Sequence, residues 1–197
     1  MDKGNICLIR HGETDWNAIG RFQGREDIPL NAAGIKQIQE ASESFEGETW
    51  HEIISSPLSR AKMSAEIIRQ KIALANIHEE SDFMERDLGE ISGMTKEEAK
   101  KTFPGGNCDG MEGIQLLQER TMGALTKWAQ IFAGKNIIIV THGAVINCIL
   151  TFLSDGKIEM GKAIPTNGQI TLLEKCGAKM EIVFYNAEKR LISFSRN

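Results

Sequence analysis

Two apolar, strand-like runs in this chain end in the same dipeptide. Leu8-Ile9-Arg10-His11-Gly12 closes one and Val140-Thr141-His142-Gly143 the other. A third junction, Ser55-Ser56-Pro57-Leu58-Ser59-Arg60, carries an arginine into the first turn of a helical stretch. An imidazole can act as nucleophile or acid/base near neutral pH. A guanidinium matches the oxygens of a carboxylate or phosphate. If the three junctions meet at one sheet edge, two imidazoles and two guanidiniums converge there. Helix N-termini add free N–H groups and partial positive charge. That set suits a tetrahedral oxyanion, above all a phosphate. A glycine after each histidine lets a ligand approach the backbone closely.

Metal binding is the competing use of histidine, and the spacing disfavours it. His11 and His142 lack an HExxH arrangement, and no third His or Cys ligand lies nearby in sequence, Cys7 and Cys148 reading as core residues. His51 and His78 read as surface or structural residues. Surrounding arginines would also repel a dication, so no metal and no cofactor are expected. The better use is covalent catalysis, with a neutral imidazole attacking phosphorus. Positive neighbours lower the imidazole pKa and neutralise charge on the moving phosphoryl group. Other signatures are missing: no GxxxxGK[ST] loop, no Cys followed six residues on by Arg, and no GxSxG elbow. A proton donor for the leaving oxygen is also needed. Glu85 is a candidate, and composition alone does not separate it from Glu13, Asp87 or Glu90.

The elements that must position these groups alternate. Residues 5–10 (NICLIR), 51–56 (HEIISS) and 136–141 (NIIIVT) read as strands. Residues 12–29 read as a long polar loop. Asn31 can cap a helix running to about Phe45, and Pro57 suits a first helical position. Ala61, Ala65, Ile68 and Ile72 repeat at the spacing of one buried face. Residues 81–113 are irregular and Gly-rich, with a short helical piece near 96–101. They read as an insertion, with residues 86–113 able to act as a lid. Helices near 112–132 and 144–153 follow. Strands near 168–175 and 179–185 come next, with Cys176-Gly177-Ala178 as their turn, and a tail begins at about Asn186. Alternation of this kind predicts an α/β three-layer sandwich: a mostly parallel central sheet with helices on both faces. Ligands bind such sheets outside the carboxyl ends of the strands, where the three junctions lie.

Composition sets the bounds. The chain has 197 residues, a net charge of −4, 41% hydrophobic and 25% charged residues. This is ordinary for one folded domain, taken as residues 1–197. The acidic balance argues against nucleic acid as partner. No apolar run is long enough for a membrane span, and the first residues lack a signal-peptide core. A cytoplasmic location is expected. Four cysteines, far apart in sequence, form no CxxC pair, and Cys7 and Cys148 read as small core residues.

The ordered motifs resemble the histidine phosphatase superfamily, in its phosphoglycerate mutase-like branch. The resemblance runs through Arg10-His11-Gly12-Glu13-Thr14, Trp16-Asn17, Gln23-Gly24, Asp27, Pro29-Leu30, Gly34 and Gln37. It continues through Ser55-Ser56-Pro57-Leu58, Arg60-Ala61 and Ala65-Glu66, and closes with Thr141-His142-Gly143. It implies a phosphoglycerate mutase-like fold with a small lid insertion. It also implies that His11 becomes phosphohistidine and that Arg10, Arg60 and His142 hold the phosphoryl oxygens, with Asn17 assisting. Glu85 would protonate the leaving group and then activate water. Gln23, Gly24 and Gly143 would border the substrate, Thr14 would cap or orient the loop, and Trp16 would pack. The chain departs from the family at Ser92-Gly93 and at Met111-Glu112-Gly113, where Glu-Gly and Gly-Glu-Ser are common. True cofactor-dependent mutases resemble it at the catalytic positions but carry a longer, basic insertion after the acid glutamate. The short stretch here favours hydrolysis. The expectation is a metal-independent phosphatase for a small phosphorylated metabolite, similar to broad-specificity and α-ribazole phosphatases. A cofactor-dependent phosphoglycerate mutase is the alternative, and a homodimer is left open.

Overall fold

The computed structural model describes residues 3–74, 76–177, 179–188 and 192. Strand β1 (Lys3–Arg10) leads through the short helix α1 (Asp15–Ala18) to α2 (Ala32–Ser42). Then come β2 (Glu52–Ser55), α3 (Ser59–Ile72) and β3 (Ile77–Glu79). The insertion carries α4 (Lys96–Thr102). After it follow α5 (Ile114–Ile131), β4 (Ile137–Thr141), α6 (Gly143–Leu153), β5 (Ile170–Cys176) and β6 (Lys179–Ala187). The six strands form one sheet in the order β3-β2-β4-β1-β5-β6. The first four run parallel, and β5 and β6 are antiparallel additions at one side.

Alternation along the strands builds two cores. Ile6, Leu8, Ile137 and Ile139 face one side and pack with Leu117, Leu125, Val145 and Ile149 of α5 and α6. Cys7, Ile9, Ile138 and Val140 face the other and pack with Ile38, Ala61, Ala65 and Ile68 of α2 and α3. Successive strand side chains point to opposite faces, so one short apolar run fills both layers. Each of the Leu, Ile and Val side chains among them contributes about 1.5–3 kcal/mol on burial. The three-layer α/β expectation holds, with the antiparallel pair making the sheet mixed. Among the described residues no helix is long and apolar enough to cross a membrane.

Local readings differ at several places. Helix α3 starts at Ser59, and Leu58 is its N-cap in extended geometry. Pro57 therefore lies ahead of the helix and not at its first position. The turn is held by Ser56 Oγ, which accepts from the Leu58 amide at 3.3 Å. Strand β3 has only three residues, too few for a visible period, and was not anticipated. The loop 12–29 contains α1, closed by a capping box in which Thr14 accepts from the Asn17 amide. Thr14 thus caps as expected. Trp16 packs under the Arg21 guanidinium, 5.7 Å from the ring centre. Strand β6 extends to Ala187, and Ile192 is buried. Ala178 of the expected turn and most of the tail after Asn186 lie outside the described residues.

Candidate active site

Register brings the three junctions together. Arg10 pairs with Thr141 across β1 and β4, and Ser55 pairs with Val140 across β2 and β4. The ladder runs one step beyond the strands: His11 N donates to Thr141 O and Ser56 N to Val140 O, both at 3.0 Å. His11, His142 and Ser56 therefore leave the sheet at one level, at the carboxyl ends of three neighbouring parallel strands.

Close backbone packing shapes the nucleophile loop. A Cβ on Gly12 would lie 2.3 Å from the Gly34 carbonyl oxygen, and one on Gly34 would lie 2.1 Å from that of Glu13. Glycine at both positions lets the N-terminus of α2 press against residues 12–13. Asn31 caps that helix and also donates Nδ2 to Glu13 Oε1 at 3.0 Å.

His11 is buried, and its ring is oriented by the chain. Nδ1 lies 2.7 Å from the Gly12 carbonyl oxygen, which can only accept, so Nδ1 carries the proton. Nε2 then presents its lone pair, which accepts from Arg60 Nε at 3.3 Å. Burial holds the imidazole pKa well below its usual value, and the Arg60 and Arg10 charges add to the fall. Arg60 is fully buried and donates Nη1 to Glu26 O at 2.6 Å and Nη2 to Gly24 O at 2.9 Å. Its pKa is pushed down to about 10, chiefly by burial, so it stays charged at neutral pH. Arg10 donates Nη1 to Pro165 O at 2.6 Å.

His142 sits next to His11, with ring centres 5.1 Å apart. Burial, then Arg60 and its other charged neighbours, keeps its pKa well below the usual value too. Its Nε2 lies 2.7 Å from Ser56 Oγ. That hydroxyl also accepts from Leu58 N, and its remaining lone pair and its proton allow it either to accept from Nε2 or to donate to it. His142 Nδ1 and Arg10 Nε are buried with no hydrogen-bond partner among the described residues.

The side chains open on a cavity of about 630 Å³. Arg10, His11, Asn17, Gln23, Gly24, Arg60, Glu85 and Gly143 all line it, and His142 does not. His142 is fully buried next to the wall. Of the four carboxylates open at the sequence level, only Glu85 reaches the cavity. Glu13 is held by Asn31, Asp87 accepts from the Gly89 amide at 3.0 Å, and Glu90 is exposed. Glu85 Oε2 accepts from Ala144 N at the start of α6, at 3.4 Å, and Oε1 from Arg86 N at 2.8 Å.

Sequence reasoning missed several contributors. Asn167 donates to His11 O at 2.9 Å and to Asn17 Oδ1 at 3.2 Å, tying the loop before β5 to the nucleophile. Thr166-Asn167-Gly168 is a turn signal that could have flagged it. Arg21, Arg86, Lys96 and Ile164 also line the cavity, with no motif to mark them.

The strand ends of this fold thus gather a buried neutral histidine and two guanidiniums at one cavity. The sequence matches the family described as Histidine phosphatase superfamily (branch 1) over residues 6–188, and the chain belongs to it. It is a histidine phosphatase, an enzyme of phosphomonoesters. "Uncharacterized phosphatase PhoE" of Bacillus subtilis (strain 168) is 41% identical over 189 residues, spanning 96% of this chain and 97% of that protein. "Phosphoglycerate mutase-like protein 4" of Arabidopsis thaliana is 35% identical over 163 residues, 76% of this chain and 70% of that one. Among solved structures, Bacillus stearothermophilus YhfR superposes with a TM-score of 0.86 at 24% identity, over 93% of this chain and 96% of its own, and shows the shared fold. Entamoeba histolytica phosphoserine phosphatase, solved with 3-phosphoglyceric acid, superposes with a TM-score of 0.81 at 29% identity, over 96% of this chain and 100% of its own.

Proposed function

We propose that the chain hydrolyses small phosphomonoesters through a phosphohistidine on His11, without a metal or cofactor, with Glu85 as general acid and then general base. The observation that carries this reading is the state of His11. Nδ1–H is fixed on the Gly12 carbonyl, and Nε2 keeps its lone pair at the cavity wall, where the Arg60 Nε–H rests on it in the absence of substrate. In the first step that lone pair forms the N–P bond and the P–O bond to the leaving group breaks. The Glu85 carboxyl proton goes to the departing oxygen, and Arg10 and Arg60 neutralise the phosphoryl oxygens. In the second step water attacks phosphorus, Glu85 takes its proton, and inorganic phosphate leaves as Nε2 regains its pair.

The orphaned Arg10 Nε, on a side chain that lines the cavity, supports an oxyanion at this point. A buried unsatisfied donor costs about 1–3 kcal/mol, which a phosphoryl oxygen would offset. Residues 86–113 serve as the lid, since residues 93–94 pair with Phe22 beside the cavity. The cavity volume is within the range of about 300–1,000 Å³ typical of small-molecule sites.

The test is hydrolysis of a chromogenic phosphate ester in EDTA by the wild type and by His11→Ala. Activity should persist in EDTA and vanish in the variant. Trapped phosphoenzyme should be acid-labile and base-stable, as a P–N bond requires. A base-labile label would overturn the assignment. Bisphosphate-primed exchange of phosphoglycerates without phosphate release would establish a mutase instead.

A further inference from the structure

Glu85 owes its position largely to its backbone, since among the described residues its carboxylate accepts hydrogen bonds from the neighbouring Arg86 amide and, at 3.4 Å, from the Ala144 amide, and no side chain donates to it. That backbone is gripped by two guanidiniums outside the cavity. Arg120, on α5, donates Nη1 to Asp82 O at 2.6 Å and Met84 O at 2.8 Å, and Nη2 to Glu85 O at 3.2 Å. Arg25 donates Nε to the same Glu85 carbonyl at 3.3 Å. One carboxylate holds both cations. Glu112 accepts Arg120 Nε at 2.6 Å and Nη2 at 2.9 Å, and Arg25 Nη2 at 3.5 Å. Its side chain is only 4% exposed. Burial works to raise the Glu112 pKa, but Arg120, the Asp87 amide and Arg25 outweigh it and keep the group ionised. The same residue closes the base of the insertion. Glu112 N donates to Asp87 O at 3.0 Å, Glu112 Oε2 accepts from Asp87 N at 3.2 Å, and Leu88 bridges to Met111.

We propose that Arg120 and Glu112 are positioning residues for proton transfer by Glu85. They fix the height of residues 82–87 above His11, and with it the reach of the Glu85 carboxyl to the leaving oxygen. The inference rests on reading Glu85 as the acid. A general acid must come within hydrogen-bond reach of the atom it protonates, and a displacement of about 1 Å can cost about a hundredfold in rate.

A leaving-group series distinguishes positioning from general structural support. Alkyl phosphates need the proton, whereas a dinitrophenyl phosphate releases a stable anion without it. In Arg120→Met and Glu112→Gln, kcat/KM for an alkyl phosphate should fall roughly ten- to a hundredfold, with under about a threefold fall for the dinitrophenyl ester. Glu85→Gln should show the same split, enlarged. If Arg120→Met does not fold, Glu112→Gln and Arg25→Met carry the comparison, with melting temperatures recorded for each. Equal losses on both esters in the clamp variants, while Glu85→Gln keeps its split, would overturn the positioning role. Absence of a split in Glu85→Gln would instead overturn the acid assignment.

Discussion

Replacing Arg60 with methionine removes one fully buried cation and keeps much of its stem. All three of its donor nitrogens are engaged in the resting site, with Nε on the lone pair of His11 Nε2. When that pair becomes the N–P bond, Nε–H turns to a phosphoryl oxygen. A guanidinium about 5 Å from phosphorus stabilises one added unit of negative charge by roughly 3 kcal/mol at an effective dielectric of ~20. That is a factor of about 10²–10³ in kcat/KM, close to the loss on deleting an oxyanion-hole donor. Stability should change less. The buried Gly24 carbonyl loses its donor, at about 1–3 kcal/mol, but a desolvated cation with no direct carboxylate partner is removed with it. The assay is steady-state hydrolysis of an aryl phosphate at neutral pH, with rapid-quench measurement of phosphoenzyme formation. Arg60→Lys is the control: it restores charge without the three-donor fork and should recover only part of the rate. A folded Arg60→Met enzyme within a fewfold of wild-type kcat/KM would refute the electrostatic role assigned here.

Two further outcomes follow from the site. His11 and His142 are buried and neutral, with folded pKa values below the unfolded one near 6.5. Their contribution is fully present above about pH 6.5 and is lost as pH falls toward the folded values, because the unfolded chain then binds more protons. Urea denaturation should show falling stability below about pH 6.5, before the carboxylates titrate, and replacing both histidines with asparagine should flatten that slope; an unchanged slope would refute it. Gly12→Ala puts a methyl 2.3 Å from the Gly34 carbonyl oxygen. It should cost about 1–3 kcal/mol in thermal or denaturant unfolding, and a neutral result would show that α2 yields freely.

Much of the fold was legible because its signals are local. The apolar runs ending at Arg10 and Thr141 are covered on both faces, so their composition alone marks them as central strands. Asn31 announces its helix by capping, which depends on residues three positions apart, whereas the four-residue α1 behind Thr14 is too short to stand out from the loop 12–29. Pro57 misled because its fixed φ suits a helix start, while the Ser56 side chain held the turn and the helix began two residues later, at Ser59. β3 escaped because a three-residue strand has no period to read; its identity comes from pairing with β2. His11, Arg10, Arg60 and Glu85 were nameable from motif order, but Glu85 could not be separated from Glu13, Asp87 and Glu90 by residue type.

The sequence by itself determined the chemistry on offer: two His-Gly junctions, two arginines, and an alternation of strand and helix that must place them at strand ends. Only the tertiary structure decided how those groups are tuned. The register of β1, β4 and β2 aligned the junctions, burial kept both imidazoles neutral, and the Gly12 carbonyl fixed which nitrogen of His11 carries the proton. Asn167, Glu112 and Arg120 entered because chain closure carried them to residues far away in sequence. Desolvation and charge proximity depend on which atoms surround a group in space, and no local window of residues contains that information.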